Sequence, residues 1–243
     1  MALATRWWSK TLFVGSIAAF VLIAAGALGT RFGIWPFTVG LLMFAIGALL
    51  GLIGLIVGII AAIVVLARGR VTERNGVLIG AAVCLVIAAL VVPQFKTAFS
   101  VPPIHNITTD VADPPTFSAV LPLRGDKSNP VDYDAAKLAP LQEKAYPWVK
   151  PLDTPLPPDQ AFDRSLEILK AMHIAIVDAN KANGTIEGTA TTFWFGFKDD
   201  IVVRIRPQDG GSRIDLHSVS RVGQGDSGLN AKRIGEFLTR FVG

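Results

Sequence analysis

Three nearly unbroken apolar runs, 11–29, 37–67 and 76–92, occupy the start of the chain, with charges confined to the connectors. A helix needs roughly 20 apolar residues to cross a hydrocarbon core of about 30 Å, so each run predicts a transmembrane helix. The second would measure about 45 Å at about 1.5 Å per residue, which requires tilt or emergence past the bilayer surface. Within it Gly47, Gly51, Gly54 and Gly58 share one stripe, and Gly76, Gly80, Cys84 and Ala88 do the same on the third run. Small residues let helix backbones approach. The stripes therefore predict a compact three-helix bundle, or self-association through the same face.

Beyond Val92 the pattern changes. Thirteen of the 15 prolines lie between Pro93 and Pro158, together with Phe95, Phe99, Phe117, Tyr133, Tyr146 and Trp148. Proline opposes helix and central strand, and aromatics oppose disorder, so 93–158 is expected to be an extended, ordered segment wrapped around the core that follows. Within 159–243, Asp159 is placed to cap a helix reaching Met172, with Phe162, Leu166, Leu169 and Met172 on its apolar stripe. Four β-rich stretches follow at 173–178, 185–195, 201–206 and 213–219, separated by turn residues such as Asn183-Gly184 and Asp209-Gly210-Gly211. Ile234, Phe237, Leu238 and Phe241 mark a closing amphipathic helix. The expected fold is a multi-pass α-helical membrane anchor over 1–92, then an α+β domain with a four-stranded antiparallel sheet and helices on one face.

Alternation assigns the faces of the last two strands. Ile201, Val203 and Ile205 turn to the core with Ile214 and Leu216, leaving Arg204, Arg206, Arg213, Asp215 and His217 opposite. A turn at 207–212 sets Arg204 across from Asp215. That face is either a solvated surface with one ion pair or a cleft roofed by the prolyl segment.

Charge adds orientation. Residues 1–92 hold Arg6, Lys10, Arg31, Arg68, Arg70 and Arg74 against the single acid Glu73, so the net charge of +4 belongs to the membrane half. No nucleic-acid surface is indicated. Arginine and lysine in short connectors stay in the cytosol, which predicts that the N-terminus lies inside and the C-terminal domain is extracytoplasmic. Ala25-Gly26-Ala27 also resembles a signal-peptide cleavage site, and cleavage there leaves the domain facing the same way. The runs contain no Asp, Glu, Lys, Arg or His, which favours an anchor over a transporter. The lone Cys84 excludes a disulfide within the soluble half.

Few motifs survive inspection. Residues Gly223 to Gly228 match GxGxxG but lack the second parallel strand and the ribose-binding acid, so no nucleotide is expected. Gly225-Asp226-Ser227-Gly228 resembles a serine-protease loop without its scaffold. Asp226 or Ser227 reads better as the cap of the closing helix. Asp215, His217, His105 and Asp110 fall short of three convergent ligands, so neither metal nor cofactor is expected. The partners indicated are the lipid bilayer, a second copy, or an envelope protein.

Asn106-Ile107-Thr108-Thr109-Asp110, Pro114-Pro115-Thr116-Phe117, the run from Phe197 to Arg206, and the block from Asp215 to Arg221 continuing through Gly223, Asp226, Gly228, Asn230, Arg233 and Ile234 form a recognisable set. In these the chain resembles the uncharacterised, mostly bacterial proteins grouped as domain of unknown function 1499, over about residues 94–242. His217 stands where the resemblance implies arginine. The resemblance implies a bacterial inner (cytoplasmic) membrane with the C-terminal domain periplasmic, and it implies no activity. It does imply a characteristic polar set of Asn106, Asp110, Arg204, Asp215, Ser220, Arg221, Asp226, Asn230 and Arg233, gathered near the sheet's end and the closing helix. That set is either a binding surface or a structural network of caps and ion pairs. Asp215, Ser220 and His217 also suggest a hydrolase if they converge.

Overall fold

The computed structural model describes residues 6–243. They divide into two compact units: one runs to Lys96 and includes Trp194–Gly196, the other comprises Thr97–Phe193 and Phe197–Gly243.

Three helices form the first unit, α1 (Trp7–Arg31), α2 (Phe37–Ala67) and α3 (Val71–Ser100), each long and apolar enough to cross a membrane. The helix α3 continues through Pro93, whose missing N–H costs one intrahelical hydrogen bond. The glycine stripe of α2 is the packing surface. A Cβ on Gly51 would meet Ile87 Cγ2 at 2.5 Å, and one on Gly54 would meet Cys84 Sγ at 2.7 Å, both on α3. Gly47 instead faces α1, where a Cβ would lie 2.7 Å from the Ala19 carbonyl oxygen. One stripe thus serves two neighbours. Ala19, Ile23, Ala48, Ile87 and Val91 fill the space between them.

The second unit is built on an open antiparallel sheet of six strands, not four. Its strands are β1 (Asn106–Thr108), β2 (Leu152–Thr154), β3 (Ala175–Asn180), β4 (Thr185–Thr191), β5 (Lys198–Gln208) and β6 (Gly211–Ser220). The order is β1-β6-β5-β4-β3, with β2 also pairing with β6. The two additional strands come from the prolyl segment. Each spans three residues between prolines, too short for alternation to be read. The same segment holds α4 (Ala135–Ala145), where Asp134 accepts from the Lys137 N–H at 3.3 Å and caps a helix that tolerates Pro140.

Two further helices, α5 (Pro158–Ala171) and α6 (Leu229–Val242), cover one face of the sheet. Asp159 does not cap α5. Pro157 holds that position and Pro158, with its φ preset, opens the helix, leaving Asp159 in the first turn where its charge complements the helix dipole. Phe162, Leu169, Ile234 and Phe237 pack there on Ile201, Val203, Ile214 and Leu216. Each such burial is worth about 1.5–3 kcal/mol. The opposite face is not solvated. Phe117 and Val120 of the prolyl segment pack on Val202 and Val219, so the sheet is covered on both sides.

Candidate functional site

At the end of β6 nearest α6, Ser220, Asp226, Asn230 and Arg233 come together. Asp226 Oδ1 accepts from the Gly228 N–H at 2.8 Å and Oδ2 from the Asn230 N–H at 2.7 Å. The carboxylate thus serves the N-terminus of α6, while Gly228 takes the capping position with φ 79°. Asn230 Nδ2 donates to Ser220 Oγ and to the His105 carbonyl, each at 2.9 Å, and Oδ1 accepts from Ser218 at 2.6 Å. Arg233 pairs with buried Asp199 at 2.7 Å. Burial pushes the Asp226 carboxyl above its usual range, opposed by the two backbone N–H groups it accepts from.

The other polar residues lie on the opposite face, beneath the prolyl wrap. Arg221, just past β6, and Arg124 from the wrap both pair with Asp200, which has no solvent exposure. Thr189 donates to the same carboxylate at 2.7 Å. Farther along β6, Asp215 is equally buried and takes Arg204 at 3.1 Å and Arg206 at 2.7 Å. The predicted register of Arg204 against Asp215 is present. Asp110 and Asp113 of the wrap close this second cluster. Residues 215 and 221 are separated by about 20 Å, at about 3.3 Å per residue of strand. The polar set is therefore several local networks and not one site.

Between the two ion-pair clusters, His217 Nδ1 faces the Pro115 carbonyl at 2.7 Å and Nε2 faces Asn106 Oδ1 at 2.6 Å. Asn106 is oriented by its Nδ2, which donates to the Val131 and Asp132 carbonyls. Burial pushes the imidazole pKa down to about 4, with the Pro115 carbonyl and the Asp132 charge opposing. A neutral ring donates from one nitrogen only, so one of the two acceptors is left without its proton.

The family model described as protein of unknown function (DUF1499) matches residues 106–241, more than half the chain and nearly all of the sheet domain. The chain belongs to this family. No curated protein matches it. Within the DUF1499 domain, sequence reasoning missed the partners that complete the networks. Arg124 and Glu187 had no visible role, and Glu187 accepts from the N–H groups of Ser118, Ala119 and Val120 at 2.9–3.0 Å, tying the wrap to β4. Gln142 of α4 likewise bridges both backbone groups of Thr108. Alternation alone marks Glu187 only as a polar-face residue, because its acceptor role depends on backbone 67 to 69 positions away.

The hydrolase arrangement does not form in this DUF1499 domain. Ser220 points toward α6, where it accepts from Asn230, whereas Asp215 and His217 point into the wrap. A sheet separates the nucleophile from the base and the acid.

One groove of about 560 Å³ lies outside these networks. Its walls are Val101, Tyr146, Trp148, Gly228, Ala231 and Gly235, with Lys232 and Glu236 at the rim. Gly235 makes room for the Trp148 ring, which a Cβ would approach to 2.7 Å, and a Cβ on Gly228 would meet Tyr146 Oη at 3.2 Å. Tyr146 is 7% exposed and, among the described residues, its hydroxyl has no hydrogen-bond partner. Burial, then the Asp226 charge, raises its pKa, so it stays a neutral donor.

Proposed function

We propose that this chain is a membrane-tethered binding module, fixed in a bacterial inner membrane and presenting its DUF1499 domain to a ligand or an envelope partner on the extracytoplasmic side. In this reading Asn106, Asp110, Arg204, Asp215, Ser220, Arg221, Asp226, Asn230 and Arg233 are structural: they fasten the wrap and α6 to the sheet. Recognition belongs to the groove. The supporting observation is a contrast. Asp200 and Asp215 at the centres of the networks are bound by arginines and closed to solvent, the Asp215 Oδ1 without a hydrogen-bond partner included, while the groove is open, apolar and lined by Tyr146, whose hydroxyl is also unmet. Buried polar groups without partners cost about 1–3 kcal/mol, so an orphan donor beside a concave apolar surface favours a ligand site. The extracytoplasmic side is supported by the Arg6–Glu73 ion pair of 3.6 Å, which gathers the positive N-terminus and the positive α2–α3 connector at one end of the helices.

A photo-crosslinking residue in place of Trp148 in the full chain, compared with one replacing exposed Leu123 on the wrap, tests the assignment. The reading expects a covalent adduct in native membranes from position 148 and little from 123. No adduct at 148, or equal yields at both, would contradict it.

A further inference from the structure

We infer that the groove beside Tyr146 and Trp148 holds one acyl chain of an anionic phospholipid, with the lipid phosphate at Lys232. This inference rests on the groove being the binding site and names its occupant.

Four observations converge. The walls are apolar and the volume of about 560 Å³ falls within the usual range for small-molecule sites, about 300–1,000 Å³. Two glycines keep the floor open, since a side chain at Gly235 would strike the Trp148 ring and one at Gly228 would crowd the Tyr146 hydroxyl. The buried, unpartnered Tyr146 hydroxyl is a donor awaiting an acceptor, which a glycerol ester or phosphate oxygen supplies. The rim charges are unequal in effect. Glu236 is occupied by Arg240 at 2.8 Å, whereas Lys232 forms no ion pair among the described residues and offers a free cation.

Chain connectivity favours a bilayer lipid as the source. Thr97, which also lines the groove, follows the predicted membrane run by five residues on the uninterrupted helix α3. Five residues reach at most about 18 Å even when fully extended, so the chain itself tethers Thr97 near the bilayer. A groove tethered this closely to the membrane run meets bilayer lipid at high local concentration.

The full chain in mild detergent, titrated with phosphatidylglycerol carrying brominated acyl chains, tests the inference through tryptophan quenching. The signal of interest is the component lost in Trp148→Phe. Saturable quenching of that component is expected, with the midpoint raised at least tenfold by Lys232→Glu and severalfold by Tyr146→Phe. Lys232 is exposed, so its variant leaves folding intact and keeps the comparison interpretable. Brominated phosphatidylcholine is expected to bind more weakly than the anionic lipid. Absence of quenching, non-saturable quenching, or equal midpoints for wild type and Lys232→Glu or for the two lipids would overturn the inference. A crosslink from position 148 to a protein, with no lipid response, would leave the binding-module reading standing and remove the lipid. Loss of both signals removes both.

Discussion

The chemistry of single residues separates two kinds of charge in this domain. Arg221 and Arg124 share a carboxylate with no exposure, so truncating either removes hydrogen bonds to a buried anion while the other arginine still compensates its charge. Arg221→Ala is expected to lower the unfolding free energy by about 1.5–3 kcal/mol, the range for losing hydrogen bonds to a charged group, because Arg124 stays on Asp200. Arg240→Ala, breaking an exposed pair with Glu236, should cost less than about 1 kcal/mol. Chemical denaturation of the two variants side by side measures the difference. His217 sets a pH response. Its folded pKa of about 4 lies below the unfolded value of 6.5, so its contribution to stability is complete above 6.5 and is lost as pH falls toward 4. One proton over that interval amounts to about 3 kcal/mol at about 1.4 kcal/mol per unit. Denaturation midpoints between pH 7 and 4 should fall with that slope, and His217→Gln should flatten it. At this scale the sequence was readable where register alone decides, as for Arg204 and Asp215. It was opaque for Arg124, whose partner Asp200 lies 76 positions away across the wrap.

Among the elements, legibility followed periodicity. The strands β5 and β6 alternate cleanly and were placed with their faces correct, and α2 was bounded to the residue. The strands β1 and β2 carry no period and gain their pairing from the free edge of β6, so the sheet was undercounted. The helix α4 was hidden by the prolines around it and by Pro140 within it. The glycine stripe makes its own prediction. Gly51→Leu forces a side chain into Ile87 and should destabilise the helix bundle by about 1–3 kcal/mol, the usual range for overpacking. Gly15→Leu, whose Cβ meets nothing within 4 Å, should have little effect. Thermal unfolding of both variants in one detergent decides between a packed face and a passive stripe.

For the molecule as a whole, membrane helices whose charges lie near their ends carry a DUF1499 domain whose polar residues are largely spent on holding its own wrap. The apolar runs 11–29, 37–67 and 76–92 contain no Asp, Glu, Lys, Arg or His, and the proposed function is carried by the domain that follows them. Its side of the membrane then decides which ligands and partners it meets. Of the six cations in the first 92 residues, five lie before the first apolar run or between the second and third, and the proposed orientation rests on the rule that such cations stay in the cytosol. Two reporters fused in turn after Gly243, a phosphatase that folds only outside the cytosol and a fluorescent protein that matures only inside it, test that claim directly. The account predicts an active phosphatase and a dark fluorescent protein; a bright fluorescent protein with an inactive phosphatase would contradict it.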